Sequence, residues 1–495
     1  MSLISRILDT AARVPDRLAL ESLADGRRWT YADLAGEIDR VAGALRQLGA
    51  GDGDRVTAQV GSSPEAFLLH LGALRAGVIL NPLNPAYTPS EVAFFLADAE
   101  PVVFLVDADP DDALRAAVPG GTSIHVLGSL WRSDDTRTVA PVEMSADAVA
   151  VLLYTSGTTG RSKGAMITDG NLVACADGLR QAWGITGDDT ILHALPLYHV
   201  HGLFVATHPF LLTGGTILLA GRFATDTVVE HLPRATVMMG VPTMYVRLLA
   251  DERVDAELTA HMRLFTSGSA PLLERTWLDW ADRTGHRIVE RYGMTEIQMA
   301  CSNPLDGDRR PGTVGVPLPQ VEVRVRGDNG ELVGPGVPGV LEVRGPNVLA
   351  GYWRLAEATR ESFTDDGWFI TGDVVTRAED GYVTIVGREK DLVISGGLNV
   401  YPKEVEDVID PLPGVVESAV IGVAHPDFGE AVVAVCAVGE GPEVDGQSVI
   451  AACRERLAHF KVPKAVVSVA TLPRNTMGKV QKGELRQRFG DMFGS

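Results

Sequence analysis

The sequence contains few cysteines and no long apolar segment, and both features narrow the classes of protein it can be. Its 495 residues include four cysteines, which are scattered along the chain and form no C-x-x-C pair. We therefore expect buried apolar cysteines in a reducing compartment, not disulfides or metal ligands. No segment reaches the roughly 18 uncharged apolar residues of a membrane helix, and no signal-peptide pattern is visible. The sequence thus predicts a cytoplasmic protein without a membrane partner.

Positive charge is also scarce. The chain has 44 Lys and Arg against 64 Asp and Glu, which gives a formal net charge of −20 at pH 7. This balance argues against a nucleic-acid-binding surface, so any bound phosphate group requires local cations. The hydrophobic content of 45% and the charged content of 22% are typical of globular proteins. The length requires two or more domains.

Alternating helix and strand patterns occupy residues 1–290. After Thr30, apolar residues such as Leu34, Ile38 and Val41 recur at helical spacing, whereas residues 56–60 alternate as a strand does. Repeated units of this kind predict an α/β fold whose mostly parallel sheets are covered by helices. Residues 107–117 and 439–446 are interpreted as surface loops.

The pattern changes from residue 312 onward. Glycine and proline become frequent, and short alternating runs appear, such as V-E-V-R-V at 321–325. This predicts antiparallel strands in a small barrel or sheet. After residues 388–391 a compact α+β unit follows. We therefore predict a large N-terminal domain, residues 1–389, of two helix-covered sheets plus a β-rich subdomain at about 312–386, and a small C-terminal domain, residues 390–495.

A glycine-rich loop at residues 154–164, Y-T-S-G-T-T-G-R-S-K-G, carries the clearest chemical signal. It follows the apolar run 148–153, and loops of this kind bring backbone N–H groups close to phosphate. Its hydroxyl groups add donors, and Lys163 adds charge. The loop is not a Walker P-loop, because that pattern has glycine before the lysine and serine or threonine after it, where this chain has Ser162 and Gly164. The alternative is a polar surface loop without a ligand.

Four further motifs follow in order: R-Y-G-M-T-E at 291–296, T-G-D at 371–373, G-R-E-K-D at 387–391 before S-G-G at 395–397, and P-R-N-T-M-G-K at 473–479. Together with the loop, they resemble the motifs of the adenylate-forming superfamily of acyl-CoA synthetases. The resemblance runs from about Leu18 to the C-terminus. Segments 193–204, 290–296 and 473–482 are most similar to malonyl-CoA synthetases.

The resemblance implies a reaction in two steps. A carboxylate attacks the α-phosphorus of ATP and releases pyrophosphate, and coenzyme A then displaces AMP from the acyl-adenylate. The first step needs cations because it brings two anions together. One implied cation is Mg²⁺, held by Glu296 and Thr155, since this ion prefers few carboxylates plus phosphate oxygens. The implied ATP-binding residues are Thr155, Ser156, Gly157, Thr158, Thr159, Gly160, Lys163, Tyr292, Asp373 and Arg388.

Lys479 is the strongest candidate for catalysis. The resemblance implies that it bridges the α-phosphate and the substrate carboxylate during adenylation, and that its acetylation would stop this step. Thr295 and Glu296 are the other implied phosphate-site residues, and His199 would gate the carboxylate against coenzyme A. The residues alone also allow Thr295 and Glu296 to be a helix N-cap pair and Asp373 to be a turn residue.

Lys390 matches the hinge position of the superfamily. The resemblance implies that the C-terminal domain rotates about this residue between the two half-reactions. The rotation would carry Lys479 away and bring Ser395, Gly396 and Gly397 to a coenzyme A tunnel. Glycine suits that place because it permits close passage of the pantetheine arm. The small C-terminal domain is thus predicted to be mobile.

The acyl substrate is predicted from Arg291. A buried arginine in an acyl pocket is costly unless it meets an anion, and a second substrate carboxylate would supply one. This predicts a short dicarboxylate, malonate or methylmalonate. The alternative is an ion pair between Arg291 and Glu290 or another acid. The other predicted acyl-site residues are His201, Ser267, Met294 and Met299.

Other functions remain open at this point. The protein is a ligase for medium-chain or other carboxylates if Arg291 is paired internally, and an adenylation enzyme for a carrier protein if pantetheine arrives on that protein. A catalytically silent nucleotide-binding protein is disfavoured by the complete set of motifs. Residues 297–300, I-Q-M-A, depart from the T-x-M-N of many malonyl-CoA synthetases, which leaves the preference between malonate and methylmalonate open.

Overall fold

The computed structural model describes residues 1–131, 144–155, 162–327, 329–439, 444–475 and 478–493. Within these ranges, no helix combines the length and the apolar character needed to cross a membrane. The helices are α1 Leu3–Arg13, α2 Tyr31–Gln47, α3 Pro64–Ala76, α4 Pro89–Ala99, α5 Asp112–Ala117, α6 Asp169–Ala182, α7 His208–Thr213, α8 Thr225–His231, α9 Pro242–Leu249, α10 Ala256–Thr259, α11 Glu274–Thr284, α12 Ala356–Glu361, α13 Pro402–Ile409, α14 Gly446–Arg456 and α15 Lys482–Phe489.

The strands belong to four sheets. They are β1 Leu18–Ser22, β2 Arg28–Thr30, β3 Arg55–Gln59, β4 Ile79–Leu83, β5 Val103–Val106, β6 Ser123–Val126, β7 Val149–Thr155, β8 Lys163–Thr168, β9 Thr190–His193, β10 Thr216–Leu219, β11 Val237–Gly240, β12 Leu264–Ser267, β13 Val289–Tyr292, β14 Cys301–Ser302, β15 Val316–Pro317, β16 Glu322–Arg326, β17 Gly339–Arg344, β18 Gly351–Tyr352, β19 Phe369–Arg377, β20 Val383–Arg388, β21 Val393–Ser395, β22 Leu398–Val400, β23 Val415–His425, β24 Gly429–Val438 and β25 Ala465–Val469.

Two mostly parallel sheets form the N-terminal part. The larger has the order β15-β14-β13-β12-β11-β9-β10-β1-β2, and its strands from β13 to β1 are parallel. The other has the order β18-β8-β7-β4-β3-β5-β6, with β4 parallel to β3 and β7. The main apolar core joins side chains of α1, α2 and α3 to strands of both sheets. The predicted α/β class is thereby confirmed.

Local signals explain where the covering helices begin and end. Thr30 caps α2, since its side chain accepts from the Asp33 amide while the Asp33 carboxylate accepts from the Thr30 amide, a reciprocal capping box. The predicted apolar face of α2 is buried. Helix α3 has Ser63 as its cap and Pro64 in its first turn, and it ends at Gly77, whose φ of 66° suits glycine.

The loop predicted at residues 107–117 is wrong in its second half, which is helix α5, Asp112–Ala117. Asp111 accepts from the Leu114 amide at 2.8 Å and caps this helix. Several aspartates in a row suggest a solvated loop, but an aspartate at the cap position stabilises a helix start. The second predicted loop, 439–446, ends where α14 begins at Gly446, and residues 440–443 lie outside the described ranges.

The predicted β-rich subdomain is an antiparallel sheet of order β16-β17-β19-β20. After it, the chain forms a sheet of order β22-β21-β24-β23, with β25 parallel to β24. Alternate residues of β23 and β24 belong to two separate apolar clusters, so both faces of this sheet are covered. The C-terminal unit therefore has its own core, while the boundary between residues 389 and 390 remains a prediction.

Candidate active site

A cavity of about 420 Å³ lies where the N-terminal part, the antiparallel sheet and the C-terminal unit meet. Its walls come from the ends of β7 and β13, the start of β8, part of β19 and the chain around Lys479. Ser156, Gly157, Thr158, Thr159 and Gly160 lie outside the described ranges. The predicted residues that line the cavity are Thr155, Lys163, His199, His201, Arg291, Met294, Thr295, Glu296, Met299, Arg388 and Lys479.

The glycine-rich loop joins two antiparallel strands. Thr155 at the end of β7 pairs with Lys163 at the start of β8, so no helix N-terminus follows the loop directly. The Lys163 ammonium group lies 5.0 Å from the centre of the Tyr352 ring, a distance typical of a cation–π contact. Lys163 therefore points its charge into the cavity beside an aromatic wall.

Glu296 is a buried carboxylate held by hydroxyl groups. It is 5% exposed, and its Oε1 accepts from the Tyr352 hydroxyl at 3.1 Å and the Thr155 hydroxyl at 3.3 Å. Burial raises its pKa, and no described residue forms an ion pair with it. The helix N-cap alternative for Thr295 and Glu296 is wrong, because both lie in a turn between β13 and β14. Sequence reasoning missed Tyr352, which lies in a short strand outside every motif.

Asp373 is fixed by two neighbours. Its Oδ2 accepts from the Tyr292 hydroxyl at 2.6 Å, and its Oδ1 lies 2.7 Å from Arg388 Nε. Arg388 stands opposite Asp373 in the β19–β20 register. Burial strongly raises the pKa of Tyr292, and the Asp373 charge raises it further. The turn alternative for Asp373 is wrong, since this residue lies within β19. Arg388 lines the cavity, whereas Asp373 and Tyr292 lie behind its wall.

Lys479 reaches the cavity from the C-terminal unit. Its backbone amide donates to Asn475 Oδ1 at 3.0 Å, and both residues line the cavity. Burial, reinforced by the Arg388 charge, lowers the pKa of Lys479 to about 8. The ammonium group is therefore poised to titrate near neutral pH, and its binding to a phosphate would favour the charged form.

Arg291 is a buried cation without a described counter-ion. It is 5% exposed, and its Nε and Nη2 have no hydrogen-bond partner among the described residues. The alternative of a pair with Glu290 is wrong, because that carboxylate accepts from the Gly312 amide at 3.0 Å and burial raises its pKa to about 8. The guanidinium packs on Gly268, where a Cβ would come within 2.3 Å of Nη1. Burial lowers the Arg291 pKa to about 10.

Other polar groups near Arg291 are also unpaired. His201 Nδ1 lies 3.2 Å from Ser269 Oγ, but its Nε2 and that of His199 have no described partner. Burial lowers the pKa of His199 to about 4 and that of His201 well below its usual range, so both are neutral at pH 7. Gln298 is 1% exposed, and both polar atoms of its amide lack a partner in the described part of the chain. This end of the cavity therefore offers hydrogen bonds to a polar ligand.

A π-helical turn, His201–Val205, presents this histidine to the cavity. Such turns often occur at functional sites. Gly202 is required in the turn, because a Cβ there would come within 2.1 Å of the Pro196 carbonyl oxygen. His193 Nε2 donates to the Gly202 carbonyl oxygen at 2.8 Å. The shape of the turn is thus set by residues that do not line the cavity.

The remaining predicted residues do not line the cavity. Ser267 is buried in β12, and its hydroxyl has no described partner; Ser269, two residues later, contributes to the wall instead. Lys390 lies in a short 3-10 turn after β20. The predicted coenzyme A residues lie in or at the turn of the β21–β22 hairpin, where the two glycines have φ of 60° and 79°; they are Ser395, Gly396 and Gly397.

Comparison with known proteins identifies the family. The model of the AMP-binding enzyme family matches residues 7–353, and that of the AMP-binding enzyme C-terminal domain matches residues 404–479. The crystal structure of ATP-bound MatB from Rhodopseudomonas palustris is 47% identical, covers 100% of each chain and has a TM-score of 0.96. A feruloyl-CoA synthase from Amycolatopsis sp is 39% identical over 473 residues, 94% of this chain and 95% of that protein. A malonate–CoA ligase from Arabidopsis thaliana is 32% identical over 544 residues, 98% of this chain and 88% of that protein.

These similarities extend over the whole cavity. The two family matches include the loop at 154–164, the motif at 291–296 and Lys479. The relatives cover nearly the full chain, so the match is not confined to one domain. The chain therefore belongs to the AMP-binding enzyme family, as an ATP-using, AMP-forming acyl-CoA ligase.

Proposed function

We propose that the enzyme joins malonate, or its 2-methyl derivative, to coenzyme A through an acyl-adenylate, with release of AMP and pyrophosphate. Arg291 carries this proposal. Its guanidinium lines the cavity, and two of its nitrogens, Nε and Nη2, have no described partner. Leaving a buried charge uncompensated is strongly unfavourable. A second carboxylate on the substrate would accept hydrogen bonds from the guanidinium and remove this cost.

The rest of the acyl end supports a short polar acid. The free amide of Gln298 and the free Nε2 of His201 would remain unpaired against an apolar chain, which is costly for buried groups. Met294 and Met299 are apolar parts of the same wall. The malonate–CoA ligase and MatB, a malonyl-CoA synthetase, favour malonate among the relatives. The feruloyl-CoA synthase is also similar, at 39% identity. The choice of malonate as the substrate therefore rests on the chemistry of the pocket.

At the ATP end, different residues would bind different parts of the nucleotide. The glycine-rich loop, with Ser156, Gly157, Thr158, Thr159 and Gly160, would hold the β- and γ-phosphates together with Lys163. Thr295 would donate to the α-phosphate. Asp373 would accept from the ribose hydroxyls, oriented for this by Tyr292 and Arg388. The Lys479 ammonium would stabilise the charge that develops as the substrate carboxylate attacks the α-phosphorus.

The residues at Glu296 fit Mg²⁺. Glu296 supplies a buried carboxylate without a described ion pair, and the Thr155 hydroxyl adjoins it at 3.3 Å. Mg²⁺ prefers a few oxygen ligands from the protein, with phosphate and water completing its coordination. When bound, the ion would neutralise phosphate charge.

The second half-reaction would use another face of the C-terminal unit. Rotation about Lys390 would withdraw Lys479 and bring Ser395, Gly396 and Gly397 to coenzyme A. His199, neutral at pH 7, would act as a gate and not as a base.

Acetylation of Lys479 would remove its charge and stop adenylation. We propose that residues 1–389 and 390–495 are the two bodies of this motion, and that the reaction occurs in the cytoplasm.

The test is AMP formation with ATP, Mg²⁺ and coenzyme A against malonate, methylmalonate, acetate, butyrate, octanoate and ferulate. Turnover confined to malonate and methylmalonate supports the proposal. Turnover of a monocarboxylate without malonate would overturn the dicarboxylate assignment and leave Arg291 outside the substrate contacts. A phosphopantetheinyl carrier protein replaces coenzyme A in a parallel assay, and reaction with the carrier alone would overturn the assigned acceptor.

A further inference from the structure

We propose that Arg474 and Glu417 form a clamp that holds the chain around Lys479 in the shape needed for adenylation. Neither residue lines the cavity that Lys479 enters, so both are positioning residues. The inference rests on the proposed role of Lys479 in the first half-reaction. It does not depend on which acid is activated.

The contacts of Arg474 bridge two parts of the C-terminal unit. Its Nη1 donates to the Gly478 carbonyl oxygen, and its Nη2 forms an ion pair with Glu417. Glu417 lies on β23. The Arg474 side chain is 29% exposed and that of Glu417 is 19% exposed, so solvent screens the pair only in part. The planar fork of a guanidinium can hold both acceptors at once, which a lysine cannot do in the same geometry.

The chain on either side of residues 476–477 is closed by its own hydrogen bonds. The Asn475 amide donates to the Lys479 carbonyl oxygen at 3.0 Å, and the Lys479 amide donates to Asn475 Oδ1 at 3.0 Å. Arg474 and Val480 form an antiparallel bridge beside them. These bonds hold residues 474–475 against residues 478–480. The ion pair with Glu417 joins Arg474 to the sheet.

Gly478 lies close to the N-terminal part of the enzyme. Gly478 has φ of 75°, and a Cβ on it would lie 3.2 Å from Thr243 Cγ2 in α9. Lys479 follows directly and lines the cavity. A shift of the carbonyl group that Arg474 holds would therefore displace the ammonium group. Displacements of about 1 Å in a catalytic group can cost about a hundredfold in rate.

The test separates the two half-reactions. Adenylation is followed by ATP–pyrophosphate exchange, and thioester formation by reaction of chemically prepared acyl-adenylate with coenzyme A. In Glu417→Gln, which removes the charge and keeps the size, we expect exchange to fall about fivefold, as for a partly shielded ion pair. Thioester formation should stay unchanged, since Lys479 has no proposed role there. Arg474→Lys should also slow exchange selectively.

The matched control is Asp407→Asn, which removes the ion pair of Lys403 in the same unit and should change neither half-reaction. Equal losses in both half-reactions of Glu417→Gln, or unchanged exchange, would overturn the clamp. Thermal melts of each variant show whether a lower rate reflects unfolding. If the wild-type enzyme exchanges with no acid of the panel, the proposed function fails instead. If it exchanges with an acid other than malonate, the clamp is tested with that acid.

Discussion

The two ends of the cavity differ in how their buried charges are satisfied. Beside the ATP end, Asp373 is bound by Tyr292 at 2.6 Å and by Arg388 at 2.7 Å, and the Glu296 carboxylate accepts from two hydroxyl groups. At the acyl end, Arg291 has two nitrogens, Nε and Nη2, without a described partner. A site whose groups are paired before the ligand arrives is preorganised, whereas an unpaired buried charge favours a ligand that supplies the missing group. The comparison separates fixed nucleotide recognition from selection of the acid.

The largest expected effect is the loss of adenylation when the Lys479 ammonium is removed. Lys479→Ala removes the ammonium proposed to stabilise the adenylation transition state, and ATP–pyrophosphate exchange should fall by about a thousandfold. Thioester formation from prepared acyl-adenylate should persist, which provides the control in the same protein. A loss of both activities would contradict a role confined to adenylation.

Breaking the network of Asp373, Tyr292 and Arg388 should lower the free energy of unfolding and also weaken ATP binding. Asp373→Asn leaves Arg388 without its charge partner. Removing one partner of a buried pair costs about 3–5 kcal/mol, and we expect about 2 kcal/mol because the Arg388 side chain is 25% exposed. Urea unfolding measures this change. Asp366→Asn is the control: it breaks the pair of Arg324 in β16 with an aspartate whose side chain is 60% exposed, against 4% for Asp373, and it should have little effect. Equal effects in both variants would contradict the distinction.

The pH dependence of adenylation should follow Lys479. Its ammonium form is required, and in the free enzyme burial lowers its pKa to about 8. The kcat/KM for ATP should therefore be constant below that value and fall about tenfold per pH unit above it. Lys479→Arg keeps its charge at high pH. Its kcat/KM should be lower than that of the wild type but should not fall as the pH rises. If kcat/KM of that variant falls with pH as in the wild type, another group is responsible for the titration.

Removing the unpaired charge should stabilise the free enzyme. Arg291→Met replaces a buried cation by an apolar side chain that fills irregular space, and we expect the free energy of unfolding to rise by about 1 kcal/mol. Malonate should stabilise the wild type but not the variant. Arg247→Met, at an exposed arginine, is the control. A destabilised Arg291→Met would show that the guanidinium is satisfied within the protein.

Local signals made much of the fold predictable. The apolar spacing after Thr30 predicted α2, and alternation predicted the strands at residues 56–60 and 321–325. Helix α5 was missed because the cap role of Asp111 cannot be distinguished from loop composition in a run of aspartates. The pairing of β18 with β8, which places Tyr352 beside Glu296, joins distant segments without a motif. Sequence patterns carry no signal for such pairing.

The residues of the candidate site likewise include some that a motif identified and some that no motif identified. Motifs identified Arg291 and Lys479, whereas Gln298 and Gly268 were missed because their roles depend on what packs around them. For Gln298, its position in I-Q-M-A was a signal, since that run departs from the family pattern. The sequence alone argues against an ion pair between Arg291 and Glu290. Neighbouring residues in a strand point to opposite faces, so a side chain rarely pairs with the next one.

The central claim, that Arg291 receives a second substrate carboxylate, is tested most directly by kcat/KM for malonate and butyrate in the wild type and in Arg291→Met. Truncating one partner of a buried, hydrogen-bonded charge pair costs about 2–5 kcal/mol, so malonate should lose about a hundredfold or more. Butyrate lacks the second charge, and its turnover by Arg291→Met should equal or exceed the trace level of the wild type. Equal losses for the two acids, or full retention of malonate turnover, would contradict the account.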